Sequence, residues 1–212
     1  DDVTVEFLDS HRAKVTTQMT NIRNGRVSNP CAKSVFGVGY LGEGVYKAKA
    51  GDKTSLVYYI WSGMMERSYS KKLHEKHPTY KDCTVCDEWH NFQVFAEWYT
   101  NHVSFGLGYE LDKDILVKGN KHYSPQTCCL IPSEINSFFN TCDKRRGEHP
   151  LGVGYHKTKK TFYASVRDEG KLQHLGYYRT PEEAFEVYKE AKEGLVKGKA
   201  FKYEGKIEDK VF

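Results

Sequence analysis

Asp112-Lys113-Asp114, followed by Gly119-Asn120 and His122, brings together side-chain types that phosphodiester chemistry uses. A carboxylate at Asp112 can hold a Mg or Mn ion, His122 can move a proton, and Asn120 can fix a loop; Asp114 offers a second carboxylate. Lys113 stands between the acids. A lysine of ordinary pKa is protonated near neutral pH, so it is a poor general base and repels a metal. Losing a general base costs roughly a hundred- to ten-thousandfold in rate. Lys113, Lys118 and Lys121 also suit the gripping of a phosphate backbone. The stretch therefore admits two readings, a cutting site and a grip.

Cysteine offers a second chemistry. Cys83-Thr-Val-Cys86 has the spacing of half a zinc site, which Cys128 or Cys129 and His90 would complete. Adjacent Cys128 and Cys129 would face opposite sides of a strand and cannot both serve one tetrahedral ion. Buried free thiols in a reducing compartment are the main expectation for these cysteines and for Cys31 and Cys142.

The elements that must carry these groups read as α+β. Gly-Val-Gly-Tyr occurs at 37–40 and again at 152–155. After each copy come a Lys-rich run, a turn, an apolar-aromatic run and a helical pattern, so two small sheet-plus-helix units are expected. In the second, Phe162, Ala164 and Val166 alternate with Tyr163, Ser165 and Arg167, the pattern of a half-buried strand. Asp168-Glu169-Gly170 supplies a turn. Thr180, Pro181 and Glu183 form a helix start, and Ala184, Val187, Tyr188 and Ala191 its apolar stripe. Between the units, Trp89, Phe92, Val94, Phe95, Trp98 and Tyr99 read as a helical core array. The expected boundaries are 1–77, 78–142, a linker at 143–150, 151–206 and a tail at 207–212.

Charge is uneven. Residues 144–206 carry fifteen Lys/Arg against nine Asp/Glu, whereas residues 1–143 carry sixteen against seventeen. A basic block of this kind often meets a polyanion. The sheet face opposite the helix would present Tyr163, Ser165 and Arg167, with Lys157, Lys159 and Lys160 leading in and Lys171, Gln173 and His174 nearby. Arg167 can donate a bidentate pair to guanine.

The stretch GVGYHKTKKTFYASVRDEGKLQHLGYYRTPEEAFEVYKEAK resembles an AP2-type DNA-binding domain. The likeness lies in its opening Gly-Val, its aromatic-Ala-x-Val-Arg strand, its Leu-Gly-x-Tyr strand and its Thr-x-Glu-Glu-Ala helix start. Where that family often carries tryptophans, this chain has Phe162 and His174. The resemblance implies a sheet docked in the major groove, with Ser165, Arg167, His174 and the Lys157–Lys160 lead-in facing DNA. AP2-like modules of phage origin often accompany HNH nuclease domains, and LDKDILVKGNKHYSPQTCCLIPSEIN resembles a degenerate HNH (ββα-metal) finger. That resemblance implies Asp112 as metal ligand, Lys113 at the general-base position, Asn120 as loop asparagine and Asn136 near the last position.

No apolar run is long enough to span a bilayer, and the start DDVTVEF lacks a signal pattern. The expected setting is a cytoplasm, that of a bacterial host if the chain is phage-encoded. The glycines of Gly37–Gly44 have irregular spacing and no following Lys-Ser/Thr, which argues against nucleotide binding. Three functions follow as expectations. The first is a double-stranded DNA-binding protein whose nuclease activity is lost or weakened. The second is an active Mg- or Mn-dependent endonuclease. The third is a phage-encoded module that grips a host protein, favoured by the acidic, aromatic-rich segment around Asp87–Trp98.

Overall fold

The computed structural model describes residues 2–139 and 148–211; Cys142 and most of the expected linker 143–150 lie outside the described residues. Small sheets and helices alternate along the chain, an α+β arrangement. Two compact units form, Asp1–Leu130 and Ile131–Phe212.

The first unit opens with an antiparallel hairpin, β1 (Asp2–Glu6) and β2 (Lys14–Gln18), followed by a short helix α1 (Met19–Arg23). The run VYKAKAGDKTSLVYYI was expected to give two strands, and here the structure differs. Only the two-residue strands β3 (Lys49–Ala50) and β4 (Lys53–Thr54) form, and Leu56-Val-Tyr-Tyr-Ile begins the helix α2 (Leu56–Tyr69). Ser55 sets this start, accepting a hydrogen bond from the Tyr58 N–H at 3.3 Å. The buried residues of α2, Trp61, Met64, Met65 and Ser68, recur at helical spacing. A short apolar run does not distinguish strand from helix; the cap and the packing do.

Next come α3 (Lys71–Lys76), β5 (Thr84–Val85) and α4 (Phe92–Asn101), the last capped by Asn91, whose Oδ1 accepts from the Gln93 N–H at 2.9 Å. Trp61, Met64 and Met65 share one core with Trp89, Phe92, Phe95, Ala96 and Tyr99, so residues 1–77 do not close on a core of their own. Trp61 Nε1 donates to the Trp89 carbonyl at 2.8 Å, satisfying the indole inside that core. The strands β6 (Glu110–Asp112), β7 (His122–Tyr123) and β8 (Cys129–Ile131) complete the unit, with β7 parallel to β5.

In the second unit α5 (Ser133–Phe139) precedes β9 (Val153–His156), β10 (Thr161–Asp168), β11 (Lys171–Tyr178) and α6 (Pro181–Lys202). The sheet is antiparallel with β10 central. Ala164 and Val166 are buried with Ala184 and Tyr188 of α6, so the helix covers one sheet face. Thr180 Oγ1 caps α6 by accepting from Glu183 N–H at 3.2 Å. The Glu183 carboxylate reaches back to the Arg179 N–H at 3.1 Å, one residue earlier than a full capping box would take it. The helix runs past the expected stripe, through Gly194 and Gly198, to Lys202.

The repeated tetrapeptide is a local device, not a repeated module. In both copies the first glycine has positive φ, +75° at Gly37 and +78° at Gly152. A side chain at the second glycine would meet aromatic carbons, those of Trp61 at Gly39 and of Tyr163 at Gly154. At the first copy, however, Val35 and Gly39 form an isolated bridge, and the strands that follow, β3 and β4, are only two residues each.

Candidate nucleic-acid interface

The sheet face opposite α6 is built by strand alternation and one irregularity. Tyr163 pairs with Gly154 on one side and Tyr177 on the other, and Ser165 pairs with His174. The register shifts between Ala164 and Ser165, because Leu175 is an extra residue in β11. Gly176, with φ +135°, permits this bulge. Its effect is to put His174 and Tyr177, rather than Tyr178, on the outer face. Tyr178 turns the other way, packs against the Ala164–Ala184 core and donates its hydroxyl to the Leu175 carbonyl at 2.9 Å.

On the outer face the rings make a connected row. His156 and Tyr177 stand 5.7 Å apart between centroids, Tyr177 and His174 4.6 Å, and His174 and Tyr163 6.0 Å. The Tyr163 ring lies across Gly154, where a β-carbon would overlap it. Lys159 Nζ sits 3.9 Å from the centroid of the Tyr177 ring, a cation–π contact.

Cations stand at both ends of this row. Lys157, Lys159 and Lys160 are exposed in the β9–β10 turn, and Arg167 and Lys171 are exposed by the β10–β11 turn. Arg167 makes one long contact, Nη1 to the Gly170 carbonyl at 3.5 Å. The neighbouring Asp168 does not neutralise Arg167. Successive strand residues face opposite ways, and the Asp168 carboxylate meets Lys199 of α6 at 3.2 Å. The structure thus brings together Tyr163, Ser165, Arg167 and His174, with Lys157–Lys160 at one end. Lys171 pairs with Asp168 and Gln173 with Val166, so strand pairing assigns these two expected residues to the opposite face. Strand alternation alone did not reveal Tyr177, whose signal is the bulge, and His156 was missed although it reaches this face by regular pairing with Thr161.

No family model, curated protein or solved structure matches this chain. Its chemistry therefore rests on geometry.

The finger-like stretch is built differently from a metal site. Asp112 Oδ1 accepts the backbone N–H groups of Asp114 and Ile115, each at 2.7 Å, and so shapes the loop. Asn120 Nδ2 donates to the carbonyls of Lys113 at 2.8 Å and His122 at 2.6 Å, closing the same loop. His122 is exposed and its Nδ1 lies 2.9 Å from Thr84 Oγ1. Asn136 lies in α5 of the second unit. Lys113, expected as an outward grip, has a side chain only 8% exposed and is ion-paired with Asp114. Its stem folds inward beside the Tyr123 ring, 5.8 Å from Nζ to centroid. Lys121 remains exposed, its Nζ donating to the Thr79 carbonyl at 2.7 Å.

Among the described residues no group of three or more His, Cys, Asp or Glu side chains could hold a metal ion. Asp112, whose Oδ1 is taken up by two loop N–H groups, belongs to no such group among the described residues. Cys83 and Cys128 are buried free thiols, and Cys86 is a half-buried one. Burial pushes the Cys86 thiol up to about 11 and that of Cys128 up to about 12, the reverse of what thiolate ligation needs. Among the described residues no helix is long and apolar enough to cross a membrane.

Proposed function

We propose that this chain binds double-stranded DNA through the outer face of its C-terminal sheet. The carrying observation is the row His156–Tyr177–His174–Tyr163, with Ser165 and Arg167 beside it and Lys157, Lys159 and Lys160 at one end. Three strands spaced about 4.8 Å apart make a face about 10 Å across, within the roughly 12 Å of a major groove. The lysines at that end suit phosphates, which fix register; Arg167 and Ser165 suit base edges, which carry sequence. A three-stranded antiparallel sheet with a single helix on one face is compatible with the AP2-type resemblance and supports the same reading.

The finger, in this reading, contributes contact and not cleavage, because Asp112 and Asn120 are committed to loop geometry.

The test is fluorescence anisotropy of a labelled duplex with the full chain over a series of salt concentrations. Affinity should fall steeply with salt, by a log–log slope of about −0.9 for each phosphate contacted. Replacing Lys157, Lys159 and Lys160 by Gln should flatten that slope for all sequences, whereas Arg167→Ala should cost about 1–3 kcal/mol and relax base preference. Weak retention that ignores salt would sink the proposal and leave a protein partner as the better account.

A further inference from the structure

In the first unit two cations from distant parts of the chain converge on one buried ring. Arg67 of α2 donates its Nε to the Tyr123 hydroxyl at 3.1 Å, and its guanidinium carbon lies 5.8 Å from the ring centroid. Lys113 approaches the same ring at the same distance. The charges do not balance. Lys113 has Asp114 as its counter-charge, while among the described residues Arg67 has no carboxylate partner. Burial pushes the Cys83 thiol up, while the charges of Lys113, Lys121 and Arg67 act to lower it and that of Asp114 to raise it.

The donors are also unspent. Arg67 uses Nε on Tyr123, and among the described residues neither of its Nη nitrogens donates to a protein acceptor. Tyr123 is 3% exposed, and its hydroxyl serves as an acceptor to Arg67 without donating in turn. Burial pushes that hydroxyl up to about 12, so it stays neutral and cannot act as the missing anion. A half-buried guanidinium without a counter-ion is costly, and a planar donor fork matches a tetrahedral oxyanion well.

We propose that the half-buried Arg67 guanidinium, held at Nε by the Tyr123 hydroxyl, forms an oxyanion notch that takes a backbone phosphate of nucleic acid on its Nη groups. This rests on the DNA-binding reading above and adds a second contact surface, in the other unit. Arg67 and Tyr123 lie 56 residues apart in sequence, so no local motif announces the site.

The experiment uses the full chain and the same labelled duplex. Arg67→Gln should weaken binding about five- to tenfold and reduce the magnitude of the salt slope by about one phosphate contact. Tyr123→Phe keeps the ring and removes the hydroxyl that holds Arg67, and should produce a smaller loss. Circular dichroism melts of both variants confirm that the fold is kept. Wild-type affinity and slope in a folded Arg67→Gln variant would overturn the notch, even while the Lys157/Lys159/Lys160 variant weakens binding. No duplex binding by the wild type would overturn the underlying reading itself. A third arm compares melting in inorganic phosphate and in chloride at equal ionic strength. A phosphate-specific rise that Arg67→Gln abolishes, with duplex affinity unchanged, would assign the notch to free phosphate and refute the nucleic-acid form.

Discussion

Lys199, near the end of α6, holds its Nζ 3.2 Å from Asp168 Oδ1 at the end of β10, with only 11% of the lysine side chain exposed. The same ammonium reaches Glu134 of α5 at 3.6 Å. One cation therefore ties the late turns of α6 to the sheet and to α5. Lys199→Met should destabilise the second unit by about 1–2 kcal/mol, since it leaves a partly buried carboxylate uncompensated. Adding Asp168→Asn should restore much of that loss. Urea unfolding of the two single variants and the double variant measures the coupling; strictly additive losses would contradict it.

Glu134 makes the same end of the unit sensitive to acid. A hydrogen bond from Tyr203 and another from Lys202 hold its carboxyl below the ordinary value of 4.5. A depressed folded pKa favours folding above the unfolded value, and that contribution is lost as pH falls through the folded one. Stability should thus decline on acidification below about 4.5 by more in the wild type than in Glu134→Gln. Above that range the profile from this group should be flat. Denaturant melts from pH 6 to pH 3 check the difference between the two curves.

Much of the second unit was legible because neighbouring residues decide it. Phe162, Ala164 and Val166 alternate with Tyr163, Ser165 and Arg167, and Thr180-Pro181 marks a helix start whatever surrounds it. Legibility stopped where distant residues decide. Leu175 breaks the alternation of β11 and so moves Tyr177 outward, a consequence of pairing across strands. α6 continues through Gly194 and Gly198, each costing roughly 1 kcal/mol in a helix, and Lys199 and Lys202 anchor it beyond them. Lys113 read as a surface cation because sequence shows its charge and not the inward path of its stem. Arg67 carried no signal at all, since its partner lies on a strand that the first unit folds against α2.

Gly154 is where sheet and site meet most tightly. Its missing side chain is the floor on which the Tyr163 ring rests, and a β-carbon there would overlap ring carbons and hydroxyl. Gly154→Ala should displace Tyr163 and, through it, His174 at 6.0 Å. A cost of about 1–3 kcal/mol in stability is expected, as for other overpacked sites. Duplex affinity should fall with it. Tyr163→Ala made in the Gly154→Ala background should recover stability without recovering affinity, which separates the steric effect from the loss of a contacting ring.

Asp112 distinguishes a grip from a cutter. Its carboxylate accepts two backbone N–H groups, an arrangement that fixes a loop, and Lys113 is folded inward beside it. Supercoiled plasmid incubated with the full chain and either Mg or Mn should be retarded on a gel and remain supercoiled. Asp112→Ala should lower stability by about 1 kcal/mol, the worth of a lost loop-capping interaction, and leave the plasmid result unchanged. Metal-dependent nicking by the parent that Asp112→Ala abolishes would reverse this assignment. It would mean that the carboxylate leaves its loop bonds to hold an ion, with the phosphate of the bound duplex supplying the ligands that the protein lacks.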